Sequence, residues 1–232
     1  MQTIKAAMNI ISSSSPTAAA KTSGTIKKNW LRTGIHILGL SALLQLGFIW
    51  ATDGLTANPI QFLEQFLGRA AVNMLVLTLA VTPVVTLTGW KALIKHRRAL
   101  GLYAFFYFVL HFLTFSVLDY GLNWREILRL TTEKPFIFVG LLAGLILLAL
   151  AVTSYKFWMK RLGKNWMRLH RTVYLAGGLV ILHYAWALKG SLTNLSGDIL
   201  RPLGMGLLVA VLLILRIPCV RRWASSLRQR AK

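Results

Sequence analysis

Apolar and polar positions alternate along this chain in long blocks, and the apolar blocks are the length of membrane-spanning helices. Crossing about 30 Å of hydrocarbon takes about 17 to 25 helical residues. Six runs approach or reach that length: Leu31–Trp50, Ala70–Thr88, Ala99–Leu118, Phe136–Thr153, Leu169–Leu188 and Leu200–Ile217. The sixth is the weakest, because its purely apolar stretch is short and Arg201 and Arg216 sit near its ends. Pro135 and Pro202 stand ahead of or at the start of runs four and six, where a missing N–H costs nothing, whereas Pro83 lies inside run two and is expected to kink it. Trp30, Trp50, Trp90, Trp158, Trp166, Trp186 and Trp223 fall at or near run ends, as in an interfacial aromatic belt. The pattern predicts an all-α integral membrane protein, a bundle of six transmembrane helices.

Composition supports this reading. Of 232 residues, 56% are hydrophobic and 14% charged, which excludes intrinsic disorder. A formal charge of +21 in a soluble protein would suggest nucleic acid, but in so apolar a chain it is better explained by cationic helix ends, and no nucleic-acid partner is expected. The single cysteine, Cys219, excludes an internal disulfide and any cysteine-ligated zinc or iron–sulfur site.

The charges separate by side. Counting Arg32, Arg171 and Arg216 with the ends they adjoin, the N-terminal segment, loops 2–3 and 4–5 and the C-terminal segment hold 21 of the 27 Lys and Arg and no acid. The other side holds the remaining 6 with all six acids, Asp53, Glu64, Asp119, Glu126, Glu133 and Asp198. The positive-inside tendency then makes both termini cytoplasmic, N-in and C-in. The basic loops suit anionic lipid of the bilayer. Residues 1–28 read as a disordered cytoplasmic tail, 29–220 as the membrane domain and 221–232 as a basic cytoplasmic tail; a secretory signal or an organellar transit peptide are alternatives for the first. No internal repeat and no P-loop or glycine-rich dinucleotide motif is evident, so nicotinamide chemistry belongs to another protein.

All six carboxylates lie outside the six runs, which disfavours a proton-coupled carrier. Histidine is what the runs contain. His36 is in run one, His111 in run three, and His170 and His183 are in run five; His96 precedes run three. Imidazoles on facing helices suit haem iron, satisfying both side chains at once. His111 and His183 match in depth, in the outer half, while His170 lies about 20 Å closer to the cytoplasm, a separation that suits two stacked haems. Thirteen residues leave His170 and His183 on different faces of an ideal helix, so a kink near Gly177 and Gly178, or a sideways offset, is needed. The bland alternative for each histidine is a packing residue bonded to a neighbouring helix. Gly101, Gly140, Gly144, Gly177 and Gly178 leave room for a macrocycle or for close helix packing, and the run Tyr103, Phe105, Phe106, Tyr107 and Phe108 lines a pocket or faces lipid.

The stretches FLGRAAVNMLVLTLAVTP (66–83), KHRRALGLYAFFYFVLHFLTF (95–115) and RLGKNWMRLHRTVYLAGGLVILHYAW (161–186) closely resemble the MsrQ (YedZ) family of the ferric-reductase-like transmembrane superfamily, over roughly 29–220. The resemblance implies a subunit of the bacterial inner membrane that carries one or two b-type haems, with FMN, and performs no substrate chemistry itself. It implies a periplasmic molybdopterin-containing catalytic partner, MsrP-like, that repairs oxidised methionine, and electrons from the quinone pool or a flavin reductase. The family's ligand histidines fall on His111, His170 and His183. The superfamily pattern places another histidine fourteen residues before the first of these, where this chain has Arg97 with His96 beside it, so the partner of His170 is His36 or His96. No motif assigns the FMN site, and Arg171 or Arg168 are its candidate phosphate partners. The rival classes are a carrier with structural histidines and a membrane anchor for a periplasmic enzyme. Reporter fusions are expected to place 119–134 outside and 156–168 inside; cytoplasmic reporter activity from 119–134 would reverse the orientation.

Overall fold

The computed structural model describes the backbone of residues 16–52, 54, 56–188 and 200–230, and side chains from Trp30 onward within those ranges except 224, 225 and 227–230. Ten α-helices are formed among the described residues, and no strand. They are α1 (Pro16–Ala51), α2 (Pro59–Thr88), α3 (Arg97–Leu113), α4 (Trp124–Glu133), α5 (Pro135–Val152), α6 (Lys156–Leu162), α7 (Lys164–Arg171), α8 (Val173–Ala187), α9 (Leu200–Ile214) and α10 (Pro218–Arg230). A 3-10 turn, Lys91–His96, leads into α3 and a π-helical turn, Thr114–Asp119, leads out of it. Contacts group the chain into two compact units, Met1–Leu40 and Ser41–Lys232. The first contains His36, exposed on α1; the second contains the end of α1 and helices α2 to α10. Of the expected N-terminal tail, 1–15 lie outside the described residues and 16–28 belong to α1, while the C-terminal basic segment is helical through Arg230. Asp53 and Asp198 also lie outside the described residues.

Four helical segments are long and apolar enough to cross a membrane: Trp30–Ala51, Pro59–Thr88, Lys91–Asp119 and Pro135–Val152. They coincide with the first four apolar runs. The fifth and sixth runs are shorter as helices than as sequence. The fifth is interrupted at Thr172, which separates the 8 residues of α7 from the 15 of α8, and α9 also has 15, about 22 Å at 1.5 Å per residue. Lys164, Arg168 and Arg171 give α7 a basic character suited to an interface rather than to hydrocarbon. The interruption of run five is thus at Thr172, whose hydroxyl donates to Leu169 O at 2.7 Å, and not at Gly177–Gly178, which lie inside continuous α8.

Helix α2 is the centre of the second unit. It packs against α3, α8, α9 and α10, and Leu67, Ala70, Val72, Met74, Leu75, Val76, Leu79 and Val81 are buried along it. Local chemistry sets both of its ends. Asn58 accepts from the Gln61 N–H at 3.1 Å with Pro59 at the first position, and Gly89, at φ +78°, donates to Val85 O at 2.9 Å. Starting at Pro59 rather than Ala70, the helix takes in Glu64, so one carboxylate expected outside the apolar runs stands in the second turn of a spanning helix. Its Oε1 is buried with no hydrogen-bond partner among the described residues. The second strong pairing is α5 with α8. Helix α5 is apolar all round, burying Ala143, Leu147 and Leu150 while Phe138, Leu145 and Leu148 face outward, as a lipid-facing helix does. The aromatic run of α3 divides the same way: Tyr107 is fully buried and Phe106 is 39% exposed.

Pro83 sits within α2, which continues past it. A proline at 83 removes the N–H that would satisfy Leu79 O, four residues back. Arg216, from the turn after α9, fills that vacancy. Its Nη2 donates to Leu79 O at 2.6 Å, its Nη1 donates to the Tyr174 hydroxyl, and its guanidinium lies 4.8 Å from the Tyr174 ring centroid. In an apolar medium an unpaired carbonyl costs several kcal/mol, so a cation at this depth is explained by the bond it makes. Replacing Arg216 with Leu is expected to lower stability in detergent by about 2 kcal/mol, read as a lower Tm. Pro83→Ala, which returns the backbone N–H, should reduce that loss. Additive effects of the two changes would show that they do not share Leu79 O.

Candidate metal-binding site

The second unit brings together two of the histidines singled out from the sequence. His111 lies in the last turn of α3 and His183 in the last turns of α8, their ring centroids 6.3 Å apart and their planes at 74°. Each is oriented by a backbone carbonyl. His111 Nδ1–H donates to Glu64 O at 2.9 Å, and His183 Nδ1–H donates to Phe136 O at 2.7 Å. A carbonyl only accepts, so both imidazoles carry the proton on Nδ1 and leave the Nε2 lone pair for a ligand. This is the usual arrangement of a metal-binding histidine, whose second nitrogen is held by an outer partner. Two imidazoles sharing one ion through bonds of about 2 Å have centroids about 6 Å apart, so the spacing fits a shared ion.

The two halves of the site are built alike. Each accepting carbonyl has a glycine four residues later on the same helix, Gly68 after Glu64 on α2 and Gly140 after Phe136 on α5. A Cβ on Gly140 would stand 2.6 Å from His183 Nδ1, and one on Gly68 3.4 Å from the His111 ring. The glycine removes the side chain that would otherwise cover the carbonyl one turn before it. Glu64, Gly68 and His111 map onto Phe136, Gly140 and His183 by a common offset of 72 positions, and α2 with α3 corresponds to α5 with α8. The sequence shows no repeat, yet the structure contains one. Equal spacings of 43 residues from glycine to histidine were its only trace in the sequence, and the accepting carbonyls have none, because every residue carries one.

The other candidate glycines do different things. Gly144 admits the Phe108 ring, whose Cζ a Cβ would meet at 2.0 Å, and Gly177 packs on Leu79 at 3.1 Å. Gly101 has only ordinary contact with Thr78, and a Cβ on Gly178 would meet nothing within 4 Å. In Gly140 and Gly144 the room is taken by side chains of neighbouring helices.

His170 uses its ring differently. Trp166 packs on it at 4.1 Å between centroids, and the Trp166 Nε1–H donates to Thr153 O at 2.9 Å. The Thr153 hydroxyl donates to Ala149 O at 2.6 Å, so its oxygen accepts from His170 Nε2–H at 3.2 Å. The nitrogen left open by the outer pair is therefore engaged in His170. Arg97 lies within electrostatic reach of it. His96 ends the 3-10 turn beside Arg97, and His36 lies in the first unit. Arg168 and Arg171 are both exposed on α7.

No cluster of three or more His, Cys, Asp or Glu able to hold a metal occurs among the described residues. His111 and His183 can supply two ligands to an ion whose remaining positions are filled by a non-protein group.

Comparison with known proteins identifies the family. Residues 67–181 match the family described as ferric reductase like transmembrane component, a stretch that includes Gly68, His111, Gly140 and His170. Curated proteins named protein-methionine-sulfoxide reductase heme-binding subunit MsrQ are similar over most of the chain. The one from Bordetella pertussis is 42% identical over 183 residues, 79% of this chain and 86% of its own length. Those from Herminiimonas arsenicoxydans and Xanthomonas axonopodis pv. citri are 43% and 39% identical, covering 81% and 69% of this chain and 84% and 77% of their own. With its apolar helices and this similarity, the chain is a multi-pass membrane protein that belongs to the MsrQ family.

Proposed function

We propose that this protein is the haem b electron-transfer subunit of a membrane methionine sulfoxide reductase system, with His111 and His183 as the axial ligands of one haem. The observation that carries this reading is the pair of imidazoles, each anchored through Nδ1 with Nε2 uncommitted. Haem, when bound, supplies reversible one-electron transfer. With Cys219 the only cysteine, no covalent haem attachment motif exists, which favours a b-type group. The chain does the rest: the carbonyls of Glu64 and Phe136 orient the rings and make them better donors, Gly68 and Gly140 admit the rings to those carbonyls, and the surrounding apolar helices limit water.

The finer parts of the reading extend beyond this pair. A second haem nearer the cationic side would take His170 together with His36 or His96, and His170 would give up its bond to Thr153. FMN would rest its phosphate on Arg171 or Arg168. The bundle lies in the bacterial inner membrane as six helices with both termini cytoplasmic, α8 and α9 completing the crossing with their flanking turns. Electrons enter from the quinone pool or a cytosolic flavin reductase and leave to a periplasmic molybdopterin-containing, MsrP-like subunit that reduces methionine sulfoxide. A carrier with structural histidines is the second reading, and the buried Glu64 carboxylate is the feature that favours it.

Purified protein is expected to show a reduced b-type haem spectrum; a colourless protein would support the carrier. His111→Ala and His183→Ala should each lose this haem or convert it to high spin, and Gly140→Ala should do the same by driving the His183 ring off its carbonyl. His170→Ala should leave this haem intact and remove only a second one. A further loss in His36→Ala but not His96→Ala would name the partner of His170, and the reverse result would choose His96. In inner-membrane vesicles, a quinol or a reduced flavin should reduce the haem. NADH alone should not reduce it in purified protein, and rapid reduction would reveal a nicotinamide site.

A further inference from the structure

A cavity of about 440 Å³ opens between α2, α8 and the start of α9, lined by residues adjacent in sequence to those at the histidine pair. Two helices present consecutive residues to the two sites. On α2, Gly68 faces the His111 ring while Arg69 lines the cavity; on α8, His183 faces the pair while Tyr184 lines the cavity. Arg201, at the start of α9, and Asn73, one turn after Arg69, complete its polar lining. The polar groups are two guanidiniums, an amide and a phenol, with no carboxylate among them. Ion pairs among the described residues are those of Arg129 with Glu126 and Glu133, so neither Arg69 nor Arg201 has an acidic partner there. Val72, Met205 and Leu208 supply an apolar wall. Two cations with no acidic partner among the described residues, beside an apolar wall, suit a ligand that is apolar over most of its surface and carries anionic oxygens.

We propose that Arg69 and Arg201 bind the two propionate carboxylates of the haem held by His111 and His183, an inference that rests on the haem reading above. Haem b is a flat apolar ring with two carboxylates, the combination the cavity lining complements. At membrane depth a carboxylate must be paired, and guanidinium offers two parallel N–H donors in the geometry a carboxylate accepts. The tyrosine hydroxyl and the Asn73 amide are further donors on the same lining. The arrangement also accounts for two arginines on the side of the protein that carries all the acids and only 6 of the 27 basic residues.

The test uses full-length haem-loaded protein, with redox titrations followed by absorbance at several pH values. Removing a cation leaves a carboxylate charge that favours the ferric state. Arg69→Gln and Arg201→Gln should therefore keep the low-spin bis-histidine spectrum but show a lower midpoint potential. That potential should also fall more steeply with pH across the neutral range, because the unpaired propionate takes up a proton with the electron. Arg69→Lys, which keeps the charge, should stay close to the parent. Haem loss in the Gln variants with retention in the Lys variant gives the same support. Unchanged potentials and pH dependence in both Gln variants would overturn the proposal, as would equal haem loss in the Gln and Lys variants of a folded protein. Native mass spectrometry showing a phospholipid on the parent that Arg69→Gln loses, with the potential unmoved, would assign the cavity to a lipid phosphate and overturn it too. A parent protein without b-type haem would instead sink the reading on which this rests.

Discussion

In hydrocarbon no water is available to a backbone or side-chain polar atom, so each one carried into the bundle must find its partner inside the protein, and the main features of this structure are answers to that demand. The two imidazoles of the outer pair answer it through helical carbonyls, and in doing so they acquire a defined tautomer. Helix α2 answers it at Pro83 by recruiting Arg216 to the stranded Leu79 carbonyl. The hydroxyls of Thr78, Thr86 and Thr88 turn back onto carbonyls four residues earlier on the same helix, at 2.8, 3.0 and 2.8 Å. Only the Glu64 Oε1 and Arg216 Nε are buried without a partner among the described residues.

Satisfying a histidine in this way also prepares it for metal. A carbonyl that accepts from Nδ1 leaves Nε2 as the only nitrogen able to donate a lone pair, and it removes the freedom of the ring to flip. The structure does this twice with one device, a carbonyl followed four residues later by glycine, on helices 72 positions apart. The result is a preorganised pair in which stability and ligand geometry come from the same two bonds. His170 is satisfied differently, by a threonine hydroxyl that takes Nε2, and the contrast separates a ring ready for a ligand from one that must first release a bond.

Electrostatics act on a larger scale than these contacts. On the six-span arrangement expected from the sequence, the whole net charge of +21 would fall on one side and the other would balance to zero. Arg69 and Arg201 line one cavity with Asn73 and Tyr184 and with no carboxylate among the lining residues. Their position is a property of packing, since α9 comes to α2 and α8 only in the folded bundle.

The extent to which all this was legible in the chain follows from the range of each interaction. Apolar run length is a local property, so the four long spans and the helical class were determined by sequence alone. The depth match of His111 and His183 was legible because helical rise is regular. The shortening of the fifth and sixth runs was not, because where a helix stops depends on side chains such as that of Thr172 and on neighbours, and not on mean hydropathy. That Glu64 belongs to α2 was not legible, because the Asn58–Pro59 cap starts the helix before its apolar stretch. The accepting carbonyls, the internal repeat and the pairing of Arg216 with Leu79 were invisible because backbone atoms are identical at every position and the contacts join residues 47 or 137 apart. The sequence by itself determined what must be buried in the membrane and which residue types had to be accommodated there; only the tertiary structure decided which helix satisfies which, since in hydrocarbon that choice is made by packing between helices and not by the periodicity within one.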